Sequence, residues 1–255
     1  MIRIWTTTGL VVLLCVVAVR AQLKKSGDPL VDSLVNEVDR LYRSSSSYAE
    51  MEMEIVTPHW QRTLKMDAWS EGMDKTFIRI NEPLKEKGVT TLRIDNEMWN
   101  YLPKTDKVMK IPPSMMMGSW MGSDFTNDDL VKESSFFDDY SYELIPSDSG
   151  DENLYYINCI PRPDLAVVWG NIVIGVEKDT RLPVWQRYYD EKKELMRVMT
   201  YSDVRTFDGR TLPATMAMVP TTKEGHKTVI RYTVAKFDIK LDKDIFSLRN
   251  LQSGQ

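Results

Sequence analysis

From Ala49 onward the apolar residues of this chain recur every second position, and they keep doing so in run after run for almost two hundred residues. Ala49, Met51, Met53 and Ile55 alternate with Glu50, Glu52 and Glu54. A period of two gives each strand one apolar and one polar face. After Thr57-Pro58, Leu64, Met66 and Ala68 alternate with Thr63, Lys65 and Asp67, so the two runs form a hairpin whose acidic and basic outer faces can pair across strands. Further extended runs follow at roughly ten-residue spacing: Thr76 to Ile80, Leu92 and Ile94, Met98 to Leu102, Lys107 to Ile111, Tyr140 to Ile145, Leu154 to Ile160, Ile172 to Val176, Val184 to Tyr189, Leu195 to Tyr201, Leu212 to Val219 and Val229 to Ile239. Turn chemistry separates them, as at Asp95-Asn96, Lys178-Asp179-Thr180, Asp208-Gly209 and Glu224-Gly225. About eleven antiparallel strands are expected. With no helical pattern between strands, a parallel α/β sheet is excluded.

One helix precedes this array. Asp28-Pro29 is an N-cap followed by proline at the first helical position, and Leu30, Val31, Leu34, Val35, Val38 and Leu41 then recur at helical spacing. An amphipathic helix of about four turns is expected, ended by Ser44 to Ser47. No repeat or linker interrupts the rest, and the polar loop from Pro146 to Asn153 is too short to divide the chain into separate domains. One domain from residue 22 to 255 is therefore expected. At 42% hydrophobic residues, a chain of this length can bury one large β core.

The N-terminus points to export. Arg3 supplies a positive n-region, Leu10 to Val19 an apolar h-region, and Val19-Arg20-Ala21 the small residues that cleavage before Gln22 needs. The apolar run is half of what a membrane span requires. Residues 1–21 thus read as a cleavable signal peptide and the mature protein as periplasmic. Cleavage leaves one cysteine, Cys159, so the fold has no internal disulfide and depends on its core. It also removes Arg3 and Arg20, moving the formal charge from −4 to −6. An acidic chain without a basic block has no footprint for nucleic acid or for anionic lipid.

Catalytic and metal-binding patterns are missing. His59 and His226 stand far apart with no ligand-spaced Cys or His beside them, Cys159 sits in a β-rich run, and no serine lies in a Gly-x-Ser-x-Gly elbow. Asp124, Asp128 and Asp129 with Asn127 lack the alternation and terminal glutamate of an EF-hand; Thr126 or Asn127 capping a short helix explains them better. The chain is read as a binding protein rather than an enzyme, with no cofactor and no metal.

What remains is an excess of methionine, fifteen in all. Met51, Met53, Met66, Met98, Met216 and Met218 fall on the apolar faces of strands, where stiff β-branched residues are the rule. Two readings stay open, an irregular core and a wall that adapts to ligands of variable shape. Past Pro112-Pro113 a second cluster, with Met115, Met116, Met117, Trp120, Met121 and Phe125 among Pro, Gly, Ser and Asp, cannot be a strand and reads as a short helix and loop laid over an apolar surface, a lid. The candidate groove residues are Met51, Met53, Leu64, Met66, Ile78, Leu92 and Ile94, and the candidate lid residues Met116, Met117, Trp120, Met121 and Phe125. A one-residue slip in register would turn each groove residue to the other face.

The run from Trp99-Asn100-Tyr101-Leu102-Pro103 through Lys107-Val108-Met109-Lys110-Ile111 to Gly118-Ser119-Trp120-Met121-Gly122-Ser123-Asp124-Phe125, followed by Asp128-Asp129-Leu130, resembles the bacterial outer-membrane lipoprotein-sorting protein family of the LolA/LolB-like superfamily. The resemblance covers roughly Asp28 to Leu248. It implies an unclosed antiparallel β-barrel around lid helices, an apolar cavity for acyl chains of lipoproteins or other lipids, and carriage toward the outer membrane. The partners it implies are an inner-membrane transporter and an outer-membrane acceptor. A lipid-sensing or accessory module for a membrane partner, such as a resistance-nodulation-division transporter or an envelope-stress regulator, is the alternative of a different class. The chain departs from the family in its greater length, and no single arginine is matched to the family's lid-contacting one.

Overall fold

The computed structural model describes residues 26–132, 139–148, 150–163 and 168–253. The signal-peptide expectation for residues 1–21 lies outside them. Helix α1, Pro29–Asp39, starts where the Asp28 carboxylate accepts the Leu30 N–H at 2.9 Å, and it buries Val31, Leu34, Val35 and Val38. It is eleven residues long, shorter than the four turns expected, and past its end the carbonyls of Arg40, Leu41 and Arg43 accept from the Arg210 guanidinium.

Thirteen strands follow: β1 Ser46–Val56, β2 Gln61–Glu71, β3 Lys75–Glu82, β4 Thr90–Ile94, β5 Glu97–Leu102, β6 Lys107–Lys110, β7 Tyr140–Ile145, β8 Leu154–Pro161, β9 Asn171–Glu177, β10 Pro183–Tyr189, β11 Leu195–Phe207, β12 Arg210–Pro220 and β13 Lys227–Phe237. The count exceeds the expected eleven or so, yet each strand coincides with one of the extended runs read from the sequence, the four-residue β6 included. All pair antiparallel in one sheet ordered β6-β5-β4-β3-β2-β1-β13-β12-β11-β10-β9-β8-β7. The sheet is therefore two meanders, β1 to β6 and β7 to β13, joined by the ladder between the first and last strands. Its edges β6 and β7 do not pair, so the barrel stays unclosed.

One face of this sheet, the inner face, carries two apolar clusters. Over β7 to β12, Ile157, Cys159, Ile174, Val176 and Met218 pack with Val31, Leu34 and Val35 of α1. Over β1 to β5, Met53, Ile55, Leu64, Ile80 and Met98 pack with Ile111 and Trp120 of the segment that leaves β6. The outer face of β1 and β2 is polar and charge-paired as the sequence implies, with Glu52 opposite Lys65, Arg79 on Asp67 at 3.1 Å and Arg231 on Glu54 at 2.8 Å. Farther along, the outer face is apolar. Phe77 and Leu92 are covered there by Leu251 of helix α2, Leu248–Ser253, and Thr90 donates to the Leu251 carbonyl at 2.7 Å.

Cys159 is fully buried, and burial pushes its thiol far up from the ordinary range. Thiolate is the reactive form, so Cys159 is expected to resist alkylation in the native protein by on the order of 100-fold or more relative to the unfolded chain. A thiol reagent added across a urea titration checks this: labelling should appear at the same midpoint as the loss of β-sheet dichroism, and rapid labelling in buffer would contradict the placement.

Candidate functional site

Where the two meanders meet, the inner face encloses a cavity of about 280 Å³. Its walls come from both halves of the sheet: Met51 and Met53 of β1 and Met66 of β2 on one side, Met199 of β11 and Met216 and Met218 of β12 on the other, with Ile230 and Tyr232 of β13 between. Six methionines thus surround one space. Unbranched thioethers fill irregular volumes and change rotamer cheaply, which suits a wall against variable apolar shapes. Helix α1 contributes Val38, and a polar border is formed by Asp39, Arg43, Asp128, Asp139 and Gln186. Burial pushes the Tyr140 phenol, also on this border, well above its ordinary value, so it remains a neutral hydroxyl.

The roof is the segment that follows β6, from Ile111 to Lys132. Single 3₁₀ turns at Pro113–Met115 and Trp120–Gly122 lead into a helix at Asn127–Lys132, here the lid helix. Thr126 caps that helix: the Asp129 N–H donates to its hydroxyl at 3.1 Å while the Asp129 carboxylate accepts the Thr126 N–H at 2.7 Å, a reciprocal capping box. Trp120 is buried and reaches down to β4, where its indole N–H donates to Thr91 Oγ1 at 3.1 Å. Trp120, Phe125 and Leu130 face the cavity.

Polar latches tie the roof to each half of the sheet. Toward β1 to β6, Arg62 donates to the Met121 carbonyl, and the buried Arg93 donates to Leu130 O at 3.4 Å. Met121 itself has a left-handed backbone (φ 52°) and precedes Gly122 (φ 76°), a tight turn that presents this carbonyl to Arg62. Toward β7 to β13, Thr228 Oγ1 accepts the Asp124 N–H at 2.9 Å and donates to the Asp124 carboxylate at 2.8 Å, with His226 Nδ1 3.7 Å from the other carboxylate oxygen. The strongest latch is Arg197 of β11, which donates through both terminal nitrogens to Asp129 at 2.6 and 2.7 Å. Its guanidinium lies 4.3 Å from the ring centroids of both Trp169 and Tyr188. Burial works against the charge of Arg197, but the bonds to Asp129 outweigh it, and the group is held above its ordinary value.

The structure brings half of the twelve candidate residues to the cavity: Met51, Met53, Met66, Ile78, Trp120 and Phe125. Leu64 lies in the same inner-face cluster, fully buried beside the cavity. Met116 and Met121 pack against that cluster without reaching the cavity, and Met117 is half exposed on the roof's outer surface. Leu92 and Ile94 are corrected outright. Ile78 pairs with Thr91, so Thr91 and Arg93 are the inner-face residues of β4, and Leu92 and Ile94 face outward beneath α2. Their apolar alternation is real but belongs to the second, outer core. Met199, Tyr232 and all the latches escape a reading of the sequence; in Leu195, Arg197, Met199 and Tyr201 the alternation is visible, but an arginine in an inner row does not look like core. Among the described residues no group of three or more His, Cys, Asp or Glu is placed to hold a metal ion.

Removing one partner of a buried ion pair strands the other charge. Arg197→Ala is expected to destabilise the fold by about 3–5 kcal/mol and to make the roof more open to proteolysis, whereas Arg205→Ala, whose pair with Asp203 is exposed, changes stability by no more than about 1 kcal/mol. Urea denaturation of the two variants checks this; equal losses would show that the Arg197 latch carries no special weight.

Similarity to known proteins agrees with this architecture. The DUF1329 family protein of Desulfovibrio piger ATCC 29098 superimposes with a TM-score of 0.78 at 25% identity, over 87% of this chain and 98% of that one. An outer membrane lipoprotein-sorting protein domain from Vibrio parahaemolyticus gives 0.74 at 23% identity over 87% and 97%, and a LolA superfamily protein from Nitrosomonas europaea gives 0.72 at 19% over 86% and 98%. The comparison with curated proteins returned no match. A family model whose description reads "-like: Uncharacterized protein" matches residues 72–253, more than two thirds of the sequence. The two meanders, the unclosed sheet and the shared fold lead to one assignment: the chain belongs to the family whose model spans residues 72–253, and its fold is LolA-like.

Proposed function

We propose that this protein is a periplasmic, single-domain carrier that holds the acyl chain of a lipoprotein, or another lipid, in the methionine-lined cavity and conveys it toward the outer membrane. The observation that carries this reading is the cavity itself, apolar at its walls, roofed by Trp120 and Phe125 and bordered by charge. A volume of about 280 Å³ falls just below the range for small-molecule sites, about 300–1,000 Å³, and suits an acyl chain or a portion of one. Each methylene withdrawn from water contributes about 0.8 kcal/mol, so a chain of ~16 carbons gains on the order of 10 kcal/mol before ordering costs. That is enough to hold a lipid in transit. A binding role agrees with Arg197 and Asp129, charged groups that line the cavity, being engaged in latching the roof, and the similar outer membrane lipoprotein-sorting protein domain supports the choice of cargo.

Native mass spectrometry of the protein purified gently from its own periplasm, followed by organic extraction, tests the proposal. One acylated molecule per protein is the expected result. A protein that is reproducibly empty and also refuses added lipoprotein and phospholipid would sink it. The variants follow from the geometry: Met51→Asp places a charge on the cavity wall and is expected to lower ligand retention at least about tenfold, while Met117→Asp, on the roof's outer surface, leaves retention unchanged. Far-ultraviolet dichroism of both variants should remain β-rich.

A further inference from the structure

The wall of the cavity has a gap, and one side chain stands in it. Strand β13 pairs with β1 from Ser47↔Phe237 to Val56↔Lys227, and β11 with β12 from Arg197↔Pro220 to Phe207↔Arg210. Between β12 and β13, by contrast, the ladder runs only from Met218↔Thr228 to Thr215↔Arg231 and then stops. Two local features end it. The β1–β13 register shifts between Glu50 and Met51, which pair with Val234 and Tyr232, so Thr233 is an extra residue that bends β13 toward β1. On the other side Pro213 has no N–H to offer a neighbouring strand.

The two strands are rejoined at their far ends. Asp208, at the β11–β12 turn, accepts the Phe237 N–H at 3.0 Å, and the Arg210 guanidinium lies 3.9 Å from the Phe237 ring centroid. What remains is a window bounded by paired backbone at one end and by these contacts at the other. Tyr42 occupies it. Its hydroxyl donates to the Pro213 carbonyl at 2.8 Å, and its ring stacks on Tyr232 at 5.1 Å with a 23° interplanar angle, so it touches both sides of the split. Tyr42 lines the cavity and is half-buried, so it stands at the cavity's boundary beside the split. The backbone around it is fixed by Arg210, which donates to the carbonyls of Arg40, Leu41 and Arg43 at 3.3, 3.4 and 2.6 Å.

We infer that Tyr42 is a stopper that sets the length of acyl chain the cavity accepts. The inference rests on the carrier reading above and adds to it a length-determining residue. With the stopper in place, an acyl chain longer than the cavity has nowhere to go but against the roof. With it removed, the chain end passes through the window between β12 and β13.

The test is binding of monoacylglycerols graded from about 8 to about 20 carbons, measured by displacement of a fluorescent fatty-acyl probe, where each buried methylene should raise affinity roughly fourfold until the cavity is full. Wild-type affinity is expected to pass through an optimum length and then fall. Tyr42→Ala should move that optimum to longer chains, raising the ratio of longest-chain to optimum-chain affinity at least about tenfold. Tyr42→Phe, which keeps the ring and loses the hydroxyl, should keep the wild-type optimum. If Tyr42→Ala does not fold, Tyr42→Leu must give the shift in its place. An unchanged length profile in the folded shorter variant, or an equal shift in Tyr42→Phe, overturns the stopper and leaves the carrier reading standing; a wild type that binds no monoacylglycerol and no probe defeats the carrier reading first.

Discussion

The ladder between β1 and β13 is the interaction on which everything else in this protein depends. Ten residue pairs join the first strand of the chain to the last, and without them the molecule would be two separate meanders with no common face. Joining them there pushes β6 and β7, consecutive in sequence, to opposite edges of the sheet. The connection between these two strands must then travel from one edge to the other. A roof over the inner face, formed from Ile111 to Lys132, is thus a consequence of strand order before it is a functional device.

How that roof is fastened follows from what lies beneath it. Were it held by apolar packing alone, its underside and the cavity walls would form one continuous core, with no reason to separate. Instead much of the attachment is polar and spread over both meanders: Trp120 on Thr91, Arg62 on Met121, Arg93 on Leu130, Asp124 on Thr228 and Asp129 on Arg197. Hydrogen bonds exchange for water at little net cost, about 1 kcal/mol each, once water reaches them, whereas separating an apolar interface costs free energy in proportion to its area. A roof latched this way is held largely by bonds for which water can substitute. The Arg197–Asp129 pair differs from the others in joining two opposite charges by two bonds with its guanidinium against two rings, and it marks the side of the roof least ready to lift.

Much of this is legible in the sequence because it is local. Alternation reports which stretches are strands, Asp28-Pro29 announces a helix, and Thr126 with Asp129 encodes a capping box within four residues. Faces and latches are harder. Leu92 and Ile94 mislead because a helix about 150 residues later covers the outer face of β4, giving that strand apolar residues on the side that alternation would assign to water. Thr91 and Arg93, the residues turned inward, look like an outer face. Asp129 finds Arg197 across 68 residues, Asp124 finds Thr228 across 104 and Tyr42 finds Pro213 across 171, and no periodicity links such partners. The cavity leaves a trace in the sequence because methionine on strands is unusual by itself.

That anomaly also divides the inner face by stiffness. Away from the seam the strands are filled with branched side chains, as in Ile172, Ile174 and Val176 of β9 and Ile78 and Ile80 of β3. Branched residues have few rotamers and hold backbone positions firmly. At the seam, on β1, β2, β11 and β12, methionine replaces them at Met51, Met53, Met66, Met199, Met216 and Met218. A core selected only for stability gains nothing from this substitution, since flexible side chains lose more entropy on packing. A wall that must close around acyl chains of differing length and branching does gain, because each rotamer change reshapes the cavity without moving a strand. The frame is stiff where branched residues fill it and compliant at the methionine-lined seam, a contrast in keeping with the proposed carrier role.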